Sequence, residues 1–298
     1  MDTIALNIAN EYDRLTHVVM GTGLGYHRNA ALVEVVNETQ KSTFNAGAFP
    51  TEETLLPEFE NFKSALRENG VHVYQPKLAP EAVQDQTCPR DIGFVIGDVL
   101  VIASMSVRSR EEEIKGISHL FDLWQGEILH APENAFIEGG DVIIDQGRIF
   151  VGIGQRTGFA GLEFLQAKFG DKYQIIPMPC RSLADGEDVL HLDCTFQPLG
   201  LGHALIYPDG LETIPPEISN NYTLIPVSRL EADALATNIL SIKPDTLIAR
   251  TAPVCARVNN ELRKHGYKVI EVQFDLVPST GGSFRCATLP VRRCEITV

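Results

Sequence analysis

Four short segments carry polar residues of the kinds that do chemistry: CPRDIGF (88–94), IEGGD (137–141), HLD (191–193) and GGSFRC (281–286). Each adjoins an apolar, strand-like run, and strand ends are where sites are usually built. In HLD the polar residues stand at i and i+2. On a strand, His191 and Asp193 would therefore point to one face and meet one small ligand, while Cys194 would turn away into the packing. A lone HxD is more often an ordinary, partly exposed strand. A zinc site would have to recruit Cys194 or His203, and no further ligand pair has suitable spacing, so metal is the weakest reading of this stretch.

In IEGGD the paired glycines let another segment or a ligand approach the backbone, leaving Glu138 at a strand start beside open space. The plain alternative is a turn with a solvated acid. In GGSFRC, Cys286 follows Arg285, whose charge suits a thiolate. A buried cysteine entering the apolar strand CATLPV explains the same residues equally well.

The elements that must hold these segments recur. LRENGVHVYQ (66–75) and LRKHGYKVIEV (262–272) share one design, the end of an amphipathic helix, a capping glycine and a strand; LQAKFGDKYQIIPMP is a third copy and LWQGEILHAP a fourth. The cap glycines Gly70, Gly126, Gly170 and Gly266 stand 56, 44 and 96 residues apart, the last gap being about two periods. About five repeats follow, one of them hidden. Helices are expected in EFENFKSALRENG, REEEIKGISHLFDLW, GFAGLEFLQAKFG and APVCARVNNELRKHG, and hairpins in GFVIGDVLVIAS, DVIIDQGRIFVGIG and LGLGHALIYPDG. Strands plus one helix per unit predict either units closed around a central channel or an open α/β sandwich.

The chain has 298 residues, 44% hydrophobic and 21% charged, enough for a large core, and no low-complexity stretch or linker marks a boundary within residues 1–298. Six scattered cysteines, without a CxxC pair, argue against a zinc ribbon and a disulfide framework. A net charge of -14 makes nucleic acid and anionic membrane poor partners. Without an apolar run of about 18 residues or a secretory start, a cytoplasmic protein is expected.

Taken together, EGGDVIIDQGRIFVGIGQRT, HLDCTFQPLGLG and GGSFRCATLPVRR resemble, in order, the blocks of the guanidino-group modifying (pentein) superfamily: arginine deiminases, dimethylarginine dimethylaminohydrolases and amidinotransferases. The resemblance implies a five-bladed, pseudo-symmetric α/β propeller with its active site in the central channel. It implies that Cys286 is the nucleophile and His191 the general acid/base, that Glu138 orients His191, and that Asp91 and Asp193 hold the guanidinium. Arg156 of GQRT would bind a substrate α-carboxylate, with Arg108 or Arg110 as second partner. Neither metal nor cofactor is implied, the partner is a small guanidino compound, and self-association is left open.

The chemistry also makes sense in physical terms. A guanidinium carbon is a poor electrophile until it is held against a thiolate, and two carboxylates both position the cation and offset its charge. After the amine leaves, water gives a hydrolase and an amine acceptor an amidinotransferase. GQRT and EGGD favour a hydrolase of L-arginine or a close relative. NEYDRLTHVVMG, VRSRE and the HLDCTFQPLGLG run look more like amidinotransferase blocks. A citrulline ureidase ranks lower, because an uncharged ureido group makes poorer use of two aspartates. Ribosome-binding initiation factors with this propeller are the non-enzymatic alternative, but they lack the Cys, His and acid set.

Overall fold

A computed structural model of the protein describes residues 3–29 and 34–295. The described residues form an α/β fold whose strands make several small sheets. Five of the sheets are three-stranded and built alike: an antiparallel pair, then a third strand parallel to the second of the pair. In chain order the hairpins are Gly93–Ile96 with Val99–Ile102, Val142–Asp145 with Arg148–Ile153, Phe196–Pro198 with His203–Ile206, and Leu240–Lys243 with Thr246–Arg250. Their parallel partners are Glu127–His130, Gln174–Pro179, Thr223–Pro226 and Lys268–Val272. The fifth sheet joins the two ends of the chain, with Arg14–Met20 lying between Thr288–Cys294 and His72–Tyr74.

The hidden repeat is the one whose parallel strand is Thr223–Pro226. Only a four-residue helix, Pro216–Ser219, precedes it, and Asn220 and Asn221 stand where the other copies carry glycine. Gly70 and Gly266 do adopt the left-handed conformation of a helix cap, with φ of +79° and +91°.

The apolar cores join successive sheets. One cluster packs Phe94, Val101, Val142 and Ile149 together; the next links Phe150 and Ile176 to Phe196 and Ala204. A third runs from Leu205 and Ile225 to Leu247 and Ala249, and a fourth from Ile248 and Val272 to Leu15 and Val18. The first cluster also takes in Val19 and Leu289, so the packing returns to the sheet formed by the chain ends.

Three expectations are corrected. REEEIKGISHLFDLW forms two 3-10 segments, Arg108–Gly116 and Ser118–Leu123, instead of an α-helix. Side chains at i and i+3 eclipse in a 3-10 turn, which places Arg110 directly over Glu113 and lets both be buried. LGLGHALIYPDG is not itself a hairpin: its strand His203–Ile206 pairs back to Phe196–Pro198 across the turn Gly200–Gly202. HLD is not a strand either. His191 is extended, but Leu192–Cys194 is a 3-10 turn held by the Cys194 N–H on the His191 carbonyl and by the Leu192 N–H on Asp141 Oδ1. Among the described residues no strand pairs with it there.

Candidate active site

The four segments meet because each leads into the first strand of a sheet. Asp91 stands two residues before Gly93, Glu138 four before Val142, Asp193 three before Phe196, and Cys286 two before Thr288. Two glycines let the segments touch. A Cβ on Gly140 would lie 2.6 Å from His191 Cγ, and one on Gly282 would lie 2.5 Å from Cys88 Sγ and 2.8 Å from Cys286 Cβ. A side chain at either position would drive the segments apart.

His191, 1% exposed, shares a hydrogen bond of 2.9 Å between Nε2 and Glu138 Oε2, and its Nδ1 stands 3.8 Å from Asp91 Oδ1. Glu138 is fully buried, not beside open space; its other oxygen accepts from Ser106, from N at 3.0 Å and from Oγ at 2.9 Å. Burial disfavours the imidazolium most strongly, but Asp91, the Glu138 hydrogen bond and Asp141 together outweigh it and carry the His191 pKa up to about 9. Burial would raise Glu138, yet His191, followed by Arg110 and Arg156, holds its carboxyl well below the usual range. The pair is therefore an imidazolium and a carboxylate at neutral pH.

Asp91 and Asp193 are each fastened through one oxygen. Asp91 Oδ2 accepts from Arg110 Nη1 at 2.9 Å, and its Oδ1 is buried without a hydrogen-bond partner. Asp193 Oδ2 accepts from Arg285 Nη1 at 2.8 Å, leaving Oδ1 near the thiols of Cys194 (3.7 Å) and Cys286 (3.8 Å). Arg285 thus does not face the Cys286 thiol as its place in the chain suggests: Glu11 and Asp193 draw its guanidinium away. Cys286 is buried, and burial followed by the charge of Asp193 pushes its thiol well above the ordinary range. Cys194, expected in the packing, instead touches Asp193 and lines a cavity of about 530 Å³ whose walls also carry Glu38, Glu187, Asp188 and Asp233.

Of the arginines, Arg110 is buried and committed to Asp91 and Glu113, whereas Arg108 is exposed and has no hydrogen bond or ion pair to the cluster among the described residues. Arg156 is buried beside the site. Its Nη2 donates to the Val36 carbonyl, and Nη1, without a hydrogen-bond partner, stands 3.7 Å from Glu138 Oε1. Asp91, Glu138 and His191 bring one potential ligand atom each within 4.8 Å of one another. A metal ion there would have to sit against Arg110 and Arg156, both already within 4.0 Å of Glu138, so the donor set suits a proton relay better than a divalent cation.

Sequence reasoning missed three members. Ser106 steadies Glu138; Asp141, in the same IEGGD, holds the HLD turn through the Leu192 N–H; and Asn238 donates from Nδ2 to Cys286 Sγ at 3.1 Å. The signal for Asn238 was the repeat itself, since it stands two residues before Leu240, as Asp91 and Cys286 stand before their strands.

Residues 27–293 match the family described as N,N dimethylarginine dimethylhydrolase, eukaryotic. The YkgA protein of Bacillus subtilis (strain 168) is 34% identical over 288 residues, covering 96% of this chain and 94% of that one. Inosamine-phosphate amidinotransferase 1 of Streptomyces griseus is 24% identical, with 97% of each chain covered. Among solved structures, the N-terminal domain of ArgZ, an arginine dihydrolase from the ornithine-ammonia cycle in cyanobacteria, superposes with a TM-score of 0.78 at 21% identity, over 94% of this chain and 98% of that one.

Proposed function

The chain belongs to the N,N dimethylarginine dimethylhydrolase family and, through it, to the guanidino-group modifying (pentein) superfamily, and on that premise we propose that it is a cysteine-dependent hydrolase of the guanidino group of L-arginine or a close derivative. The observation that carries the proposal is the pair of buried carboxylates, each anchored to an arginine by one oxygen, Asp91 with its other oxygen 3.8 Å from His191 Nδ1 and Asp193 with its other oxygen 3.8 Å from Cys286 Sγ.

In this reading the guanidinium is forked by Asp91 and Asp193, and its charge offsets the carboxylate that holds the Cys286 proton on. As the substrate binds, the Cys286 thiol releases its proton to solvent, and the resulting thiolate adds to the guanidinium carbon. His191, protonated at neutral pH, gives a proton to the departing nitrogen as the C–N bond breaks, leaving a thiouronium on sulfur. Neutral His191 then takes a proton from the attacking water, and the C–S bond breaks to restore the thiolate. Glu138 keeps the imidazole oriented through both steps. Arg156 is assigned the substrate carboxylate, because its Nη1, 3.7 Å from Glu138 Oε1, is a buried donor without a hydrogen-bond partner.

The five like sheets are read as blades of a propeller whose axis passes through the site, the whole of residues 1–298 acting as one catalytic domain. The shared strand order and the cores linking each sheet to the next support this. A cytoplasmic setting is part of the proposal; among the described residues no helix is long and apolar enough to cross a membrane.

Amidinotransfer is the second reading. It is favoured by the full-length similarity to an amidinotransferase and by the acidic cavity beside Cys194, which suits an amine acceptor. Incubation with arginine, agmatine, citrulline and dimethylarginine, each with and without glycine, decides between them. Hydrolysis predicts ammonia or an alkylamine, with the corresponding ureido compound or free amine (citrulline or ornithine from arginine), at rates indifferent to glycine; transfer predicts release of the free amine, ornithine from arginine, that depends on it. Silence with every compound would overturn both.

A further inference from the structure

We infer that Asn238 is a positioning residue for the Cys286 thiolate, supplying the hydrogen bond that makes a buried thiol beside a carboxylate usable as a nucleophile. The inference rests on the proposed role of Cys286. Asn238 is completely buried, in the segment that leads into the first strand of its sheet, between the HLD turn and the Cys286 segment. Its Oδ1 accepts from two backbone N–H groups, those of Arg285 and Cys286, each at 3.1 Å.

Those two donors settle the orientation of the amide. An NH2 group cannot accept from an N–H, so the oxygen must face residues 285 and 286 and the nitrogen must face the other way. On that side Nδ2 meets Cys286 Sγ at 3.1 Å and the Asp193 carbonyl at 3.4 Å. One side chain thus fixes the backbone of the nucleophile and offers an N–H to its sulfur.

The sulfur needs that help. Burial and Asp193 both oppose ionisation, Asp193 Oδ2 being 3.6 Å away, and Arg285 is turned to Glu11 and Asp193. Asn238 is the neutral donor on the thiol, and a hydrogen bond to a charged acceptor is about twice as strong as one to a neutral acceptor. It therefore favours the thiolate over the thiol. A charged donor there would pair with Asp193 and compete with the incoming guanidinium.

The test is the pH dependence of Cys286 alkylation by iodoacetamide in the full chain, read on the Cys286 peptide by mass spectrometry, alongside kcat and KM for arginine. Asn238→Asp keeps the acceptor for both backbone N–H groups and removes the donor to sulfur; Asn238→Ala removes both. For either, Cys286 alkylation at pH 7 should slow about tenfold or more, with the curve displaced to higher pH, kcat lowered and KM within about twofold. An alkylation curve that overlays that of the wild type in a folded variant overturns the inference. A variant-free measurement stands beside it: in wild-type protein carrying 15N-asparagine, the Asn238 side-chain amide should shift with the midpoint of Cys286 alkylation, and an amide indifferent to that titration contradicts the assignment. Retained turnover in Cys286→Ser would instead remove the proposed function, and the thiol titration would still judge Asn238 separately.

Discussion

Two aspartates that each give one oxygen to an arginine, with Asp91 Oδ1 unpartnered and Asp193 Oδ1 meeting only thiols, are costly to bury unless a cation completes them. Arg110 and Arg285 anchor the carboxylates, and in the proposed function the guanidinium of a substrate supplies the remaining charge. His191 follows a linked logic. Its pKa is raised from 6.5 to about 9, so the stability it contributes is fully present below 6.5 and lost as pH rises through about 9. Glu138 has the opposite sign: lowered from 4.5, it contributes above that value and loses the contribution only in strong acid. Thermal melting of wild type and His191→Asn should therefore show a gap that is widest near pH 5.5 to 6.5 and closes toward pH 9; a gap constant across that range contradicts the ion pair. Arg156→Ala should raise KM for arginine about tenfold or more with a smaller effect on kcat, and an unchanged KM would point to a substrate without a carboxylate. The resemblance carried by the four segments pointed to Cys286, His191, Glu138, Asp91 and Asp193, and their side chains lie in one buried cluster. Asn238 escaped because TNILSI looks like any strand entry, and Arg285 misled because adjacency in the chain says little about where a long side chain ends.

At the scale of elements, the site depends on segments that are neither helix nor strand. Alternation in HLD predicts a strand with His191 and Asp193 on one face, whereas a 3-10 turn tied to Asp141 positions Asp193. The Cys286 segment is braced from further away. Glu58, in the helix Glu52–Glu68, accepts from the backbone N–H groups of Asp275, Leu276 and Val277 at 2.8 to 2.9 Å, and so fixes the chain just ahead of GGSFRC. Glu58→Ala would leave those N–H groups without their partner and should cost about 2–4 kcal/mol, measured by urea unfolding, with kcat falling as the loop loosens. A loss under about 0.5 kcal/mol would mean that the loop holds itself. Nothing in EFENFKSALRENG distinguishes Glu58 from the solvated acids around it, because its partners lie more than 200 residues away.

At the scale of the molecule, repetition was the most legible feature, and spacing alone indicated five units with one obscured. The obscured unit has a shortened helix and asparagines in place of a glycine cap, which erased its periodic signal while its strands kept their pairing. What spacing could not show is that the last strand, Thr288–Cys294, completes the sheet of the first long one, Arg14–Met20. Because every apolar cluster spans neighbouring sheets, the proposed single domain should unfold calorimetrically in one transition with matching van't Hoff and calorimetric enthalpies; two separable transitions would divide it. The central claim, attack by Cys286 on a guanidino carbon, is tested most directly by acid quenching during turnover of arginine and mass analysis of the Cys286 peptide. The account predicts a guanidino-derived adduct on Cys286 that forms and decays at the rate of turnover, and no turnover in a folded Cys286→Ser variant. Turnover without an adduct, sustained by that variant, would contradict it.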